Sequence, residues 1–179
     1  MKKSIVFWQF IGFSFVCISG TLLHFLFDWS SENIVVGIFS AVNESIWEHI
    51  KLLYFPMLIF TFIESKRFNS RYKNFWCAKA IGFLVGTIFI PTIYYTYTGA
   101  LGVKADWFNI LIFFITAALL FFTETKIIKN NRECHISPIV SKIFILLLGV
   151  LFVIFTFAPP RIPLFQDPLD SSYGFFKTI

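Results

Sequence analysis

Charge is what this sequence has least of. Only 14% of its 179 residues are charged, where ordinary soluble domains carry about a quarter. A water-soluble globule of this size could not hide the 57% that is hydrophobic, including 26 phenylalanines. Lipid, rather than a protein core alone, is the expected cover. Catalytic and metal signatures are missing too: there is no HExxH, no CxxC and no pair of histidines at ligand spacing. Cys17, Cys77 and Cys134 share no metal or redox spacing, so no disulfide framework is implied. Cys17 reads as small apolar filler and the other two as incidental thiols. No internal repeat suggests the inverted halves of a transporter.

Lys2-Lys3 followed by an apolar run imitates a secretory signal. No small-x-small cleavage site or lipobox follows, and Ile5 to Phe27 is longer than a typical signal core. The run is therefore read as a retained transmembrane helix. The expected architecture is all-α, a polytopic integral membrane protein of one domain. A spanning helix needs about 20 mostly apolar residues, and the expected helices cover 5–27, 45–64, 80–97, 107–122 and 139–158. Residues 34–42, "IVVGIFSAV", are too short to cross. They read as re-entrant, interfacial or a short helix packed on the bundle.

Basic residues orient the chain. Lys2, Lys3, Lys66, Arg67, Arg71, Lys73, Lys79, Lys126, Lys129, Arg132 and Lys142 fall in one set of gaps, and Lys104, Arg161 and Lys177 in the other. Eleven against three puts the N-terminus inside and, with five crossings, the C-terminus outside. Trp8 and Trp76 are expected at the inner interface. Trp29, Trp47, Trp107, Tyr94, Tyr95 and Tyr97 are expected at the outer one. Because basic residues cluster between apolar runs, the net charge of +5 does not indicate nucleic acid. The expected partner is the lipid bilayer; protein partners and homo-oligomers are left open. The tail, 159–179, holds four of the seven prolines together with Leu164, Phe165, Phe175 and Phe176. It should be stiff and fold back on the outer face.

The anomaly is "VNESIWEHIKLLYFP", residues 42–56. A helix beginning at Ile50 would have an apolar part reaching only about 21 Å, short of a hydrocarbon core about 30 Å thick. The helix must start near Ser45, which carries Glu48, His49 and Lys51 into or near the outer interface. Ser45 and Glu48 fit a capping box. At about 100° per residue, Glu44, Glu48 and Lys51 share a fan of about 60° and form a ladder, with His49 about 100° to one side. Pro56 frees the carbonyl of Leu52. At the end of the first helix, His24 and Asp28 stand one turn apart. Topology brings them beside the start of the second, and Asp106, Asp167 and Asp170 are on the same side.

Three readings fit this convergence: a polar network pinning two helices, a metal or proton-handling catalytic site, and a ligand or translocation pocket. The candidate ligand- or ion-binding residues are His24, Asp28, Asn43, Glu44, Glu48, His49 and Lys51. Glu44, Glu48 and His49 are the catalytic candidates. His24, His49, Asp28 and Glu48 are the candidates for a divalent metal, since imidazole and carboxylate suit zinc and its neighbours. Asn43 also opens a glycosylation sequon, a common pattern. Glu64 and Glu124, near basic residues at the inner helix ends, read as surface ion pairs. Gly82 and Gly86 suggest close packing.

"GTLLHFLFDW", "VNESIWEHIKLLYFPML" and "PPRIPLFQDP" with "YGF" resemble a family of small multi-pass membrane proteins from Gram-positive bacteria, known only as a domain of unknown function. The resemblance implies a compact helical protein of the bacterial plasma membrane and carries over no activity. Membrane hydrolases that bind zinc through three histidines and an aspartate on seven helices do not match, because this chain has too few helices. The residues thus point to a membrane protein with a polar, ion- or ligand-binding site near the outer leaflet. The alternatives are an intramembrane hydrolase or transferase on a lipid or cell-envelope substrate, and an accessory subunit.

Overall fold

The computed structural model describes residues 4–130 and 134–178; Lys2, Lys3 and Arg132 of the basic set lie outside them. Six helices follow one another: α1 (Ile5–Trp29), α2 (Ile34–Gly37), α3 (Ile46–Phe68), α4 (Phe75–Leu101), α5 (Asp106–Asn130) and α6 (Pro138–Phe157). All but α2 are long and apolar enough to cross a membrane. The shortest of these, α6 with 20 residues, reaches about 30 Å at about 1.5 Å per residue. The apolar stretch at 34–42 becomes the single turn of α2, capped by Asn33, whose side chain accepts from the N–H groups of Val35 and Val36.

Most helices overrun their expected bounds. The largest shift is at α5, which ends at Asn130 rather than near residue 122, and α4 begins at Phe75 rather than near residue 80. Lys79 looked like a flank but lies wholly buried inside the helix. Its charge therefore leaves the interfacial count. At the other end, α4 stops at Gly102, whose φ of +67° is the left-handed conformation that glycine adopts without strain.

α3 is the most buried of the five long helices and packs against α1, α4 and α6. Its position explains how one helix can carry Glu48, Lys51 and Glu64: each faces protein. The apolar perimeter is supplied instead by outward residues such as Phe10, Ile18, Ile88, Phe122 and Leu147. Trp47, expected at an interface, is buried between Phe152, Phe155 and Phe165. Trp76, Tyr94 and Tyr97 also turn inward, whereas Trp29 and Trp107 are exposed.

The α1–α3 seam is antiparallel with a steady register. Gly12 faces Phe60, Gly20 faces the carbonyl of Leu52, Gln9 meets Glu64 and His24 meets His49. Small residues let the backbones approach. A Cβ on Gly20 would stand 2.8 Å from the Leu52 oxygen, the acceptor that Pro56 releases by lacking an N–H.

The proline-rich tail folds back over the start of α3 and the end of α6. Leu164 accepts from the N–H of Trp47 at 3.1 Å, which satisfies one of the free donors in the first turn of α3. Phe175 N donates to Thr156 O at 2.7 Å, and isolated antiparallel bridges join Gln166 to Tyr173 and Tyr173 to Thr178. The cysteine expectation needs correction. Cys77 and Cys134 are disulfide-bonded, their Cα atoms 6.3 Å apart, tying the first turn of α4 to the segment before α6. Cys17 is a buried free thiol.

Candidate functional site

Ser45 decides which charges meet. Its φ of −67° and ψ of 153° are extended, and its hydroxyl accepts from Glu48 N as the N-cap of α3. Glu44 therefore lies outside the helix, and the expected Glu44–Glu48–Lys51 ladder does not form. The capping box is also half made. Ser45 N donates to Asn43 Oδ1 at 3.0 Å, while the Glu48 carboxylate turns elsewhere.

Freed from the helical wheel, Glu44 swings to the α1–α3 seam. Its backbone N–H donates to Asp167 Oδ2 at 3.1 Å, so the tail holds this turn in place. Glu44 Oε2 then stands 3.7 Å from His24 Nε2 and 3.5 Å from His49 Nε2, and the imidazole centroids are 5.3 Å apart. One donor atom from each of the three residues lies within 4.8 Å of the other two. Bonds of about 2.0–2.2 Å to tetrahedral zinc place ligand atoms about 3.4 Å apart, so a small contraction completes the set. All three side chains are half-buried, which leaves an open side.

The tautomer of His49 gives this cluster its chemistry. His49 Nδ1 lies 2.9 Å from Ser45 O. A carbonyl only accepts, so Nδ1 carries the proton. When the ring is neutral, Nε2 is a lone-pair nitrogen facing a carboxylate oxygen, two acceptors with no hydrogen between them. Either a proton, which makes the pair an imidazolium–carboxylate bridge, or a metal cation resolves that opposition. The Ser45 contact is also the kind of outer hydrogen bond that orients a metal-binding imidazole. The hydrogen bond from His24, with the positive charge of either ring, holds the Glu44 carboxyl below its ordinary value against the opposing effect of burial.

Other expected members do not join. Asp28 is exposed one turn beyond His24. It is near enough to act on His24 electrostatically, but it gives no oxygen to the group. Asn43 is a structural pin, accepting from Ser45 N and donating to Gly174 O at 3.4 Å. Asp106 is exposed at the start of α5, and Asp170 caps Ser172 N.

Glu48 and Lys51 form a separate, closed network, and Glu48 gives no oxygen to the histidine cluster. Lys51 Nζ donates to Glu48 Oε2, to Gly37 O at 2.9 Å and to Thr156 Oγ1 at 2.8 Å. These use all three ammonium protons. Glu48 also accepts from Thr156 Oγ1 at 2.8 Å and from Val42 N at 3.2 Å. Both side chains are inaccessible. This pair reads as a pin between α2, α3 and α6, closed off from solvent. A groove of about 350 Å³ between α3 and α6 is lined by apolar side chains and Tyr54, without these charges.

Sequence reasoning missed a third constellation at the opposite end of α3. Glu64 and Glu124 are not surface pairs. Both are wholly buried and both hold Lys79, at 2.5 and 2.6 Å. Gln9 Nε2 donates to Glu64 at 3.1 and 3.3 Å. The signal was available: Lys79 lies within "FWCAKAIGF", past Trp76 and inside an apolar run.

A model of the family of unknown function DUF6512 matches residues 1–175. The chain belongs to that family. Membership agrees with the resemblance in its main respect and brings no activity. No curated protein and no solved structure gives a match.

Proposed function

We propose that this DUF6512 member is a multi-pass protein of the bacterial plasma membrane, N-terminus inside, that binds a divalent transition metal of the zinc class at His24, Glu44 and His49 near the outer leaflet. The observation that carries this is His49 Nε2 facing Glu44 Oε2 at 3.5 Å while Nδ1 is committed to Ser45 O. Two imidazoles and one carboxylate form a ligand set that zinc accepts. The five long apolar helices support the membrane placement. The excess of basic residues in one set of gaps supports the orientation.

The half-exposed side of the cluster leaves a fourth coordination position. Closed structural zinc sites fill all four with protein, whereas sites that bind an exchangeable ligand keep one for water or substrate. That openness favours, as a second reading, metal-assisted hydrolysis or transfer on a lipid or cell-envelope substrate. The test of the main reading is metal analysis of detergent-purified protein after zinc loading and desalting. One equivalent of metal, lost in His24→Ala with His49→Ala, is expected. Metal-free wild-type protein would overturn the reading.

A further inference from the structure

The cluster at the far end of α3 has an unbalanced charge. Glu64 from α3 and Glu124 from α5 bring two carboxyls, Lys79 from α4 brings one ammonium, and Gln9 from α1 is neutral. The three ionisable side chains have no solvent exposure. Lys66, Arg67, Lys126 and Lys142 on the adjoining helices are exposed, and among the described residues only Lys79 pairs with either carboxyl. Lys79 also sits 5.6 Å from the ring centroids of Phe75 and Phe121. Fully ionised, the cluster would hold a net negative charge in a site closed to solvent, where an uncompensated charge is strongly disfavoured.

Hydrogen bonding shows the same deficit. Glu124 Oε1 and Gln9 Oε1 are both buried without a partner, although the Gln9 side chain lies beside Glu124. Both oxygens are acceptors, so what the cluster lacks is a donor. A proton on Glu124 Oε1 supplies one and brings the total charge to zero. A metal cation has little room. Glu124 packs so closely on Gly82 that a Cβ there would stand 2.8 and 2.9 Å from its Cγ and Cδ.

We propose that Glu64, Lys79 and Glu124 form a proton-binding site that holds one exchangeable proton between its two carboxyls, resting on Glu124. The site is separate from the histidine cluster and does not depend on metal binding there. Protonation adds H⁺ to one carboxylate oxygen, and release returns the cluster to a net charge of −1.

The test is infrared spectroscopy of the full chain in lipid nanodiscs, reading the C=O stretch of a protonated carboxyl at neutral pH. Wild-type protein should show one such buried band. Glu124→Gln and Glu64→Gln each leave a single carboxylate for the single ammonium, so the band should vanish in both. Glu124→Gln copies the protonated shape and should melt no lower than wild type, which separates loss of the band from misfolding. Absence of the band in wild type overturns the proposal, as does its survival in either variant. A band absent in wild type together with sodium-dependent melting would assign the missing positive charge to a metal cation instead.

Discussion

Gly20 lies against the carbonyl oxygen of Leu52, the one acceptor in α3 that Pro56 leaves without its helical donor. This contact brings α1 to α3 one turn before His24. It thus sets the distance between His24 and His49. Gly20→Val should cost about 1–3 kcal/mol through overpacking and also weaken metal binding, because the helices must separate. Reversible unfolding in mixed detergent checks the first effect and zinc competition the second. Unchanged zinc affinity would show that the seam does not set the site.

The Glu48–Lys51 pair gives a second prediction. Lys51→Met strands a buried carboxylate and Glu48→Gln strands an ammonium, and breaking such pairs costs about 3–5 kcal/mol. The double variant removes both charges and should be more stable than the Lys51→Met single. Unfolding free energies of the four proteins form the cycle. Additive losses would mean that the two side chains act independently.

How much of this was legible in the sequence depends on the kind of residue. Long apolar runs are readable without tertiary information, so the five long helices were expected and found. His24, His49 and Glu44 were recognised as neighbours because topology alone puts those chain ends on one face. Which carboxylate meets the histidines was not readable. Ser45 fits an N-cap, but a wheel drawn through Glu44 assumes helix where the cap already forbids it. Lys79, Glu64 and Glu124 were misread for another reason. A charge near a helix end looks like an interfacial flank, and only packing shows that Gly82 leaves a space for the Glu124 carboxyl.

The depressed value of Glu44 predicts a pH dependence. A carboxyl lowered on folding contributes stability above its unfolded value, near 4.5, and loses it as pH falls through the lower folded value. In chelator, the melting advantage of wild type over Glu44→Gln should vanish on strong acidification, once the Glu44 carboxyl is protonated in the folded protein. An advantage that persists once the pH has fallen below the lowered value of Glu44 would contradict the hydrogen bond from His24.

The disulfide gives a prediction about sidedness. The proposed orientation turns the Cys77–Cys134 face toward the cytoplasm, where thiols stay reduced. Maleimide labelling should find both thiols free in denatured extracts of cells quenched with acid, and bonded after purification in air. Closing a loop with a sequence separation of 57 should then raise stability by about 4 kcal/mol in the entropic treatment. A bond already present in cells would argue for the opposite orientation.

Metal stoichiometry tests the main proposal most directly. Detergent-purified protein, loaded with zinc and desalted, should retain one equivalent. Glu44→Gln and His49→Ala should each lower that retention, and the His24→Ala, His49→Ala pair should abolish it while Glu48→Gln keeps it. Wild-type protein that holds no zinc, or a double-histidine variant that still holds one equivalent, would contradict a metal site at His24, Glu44 and His49.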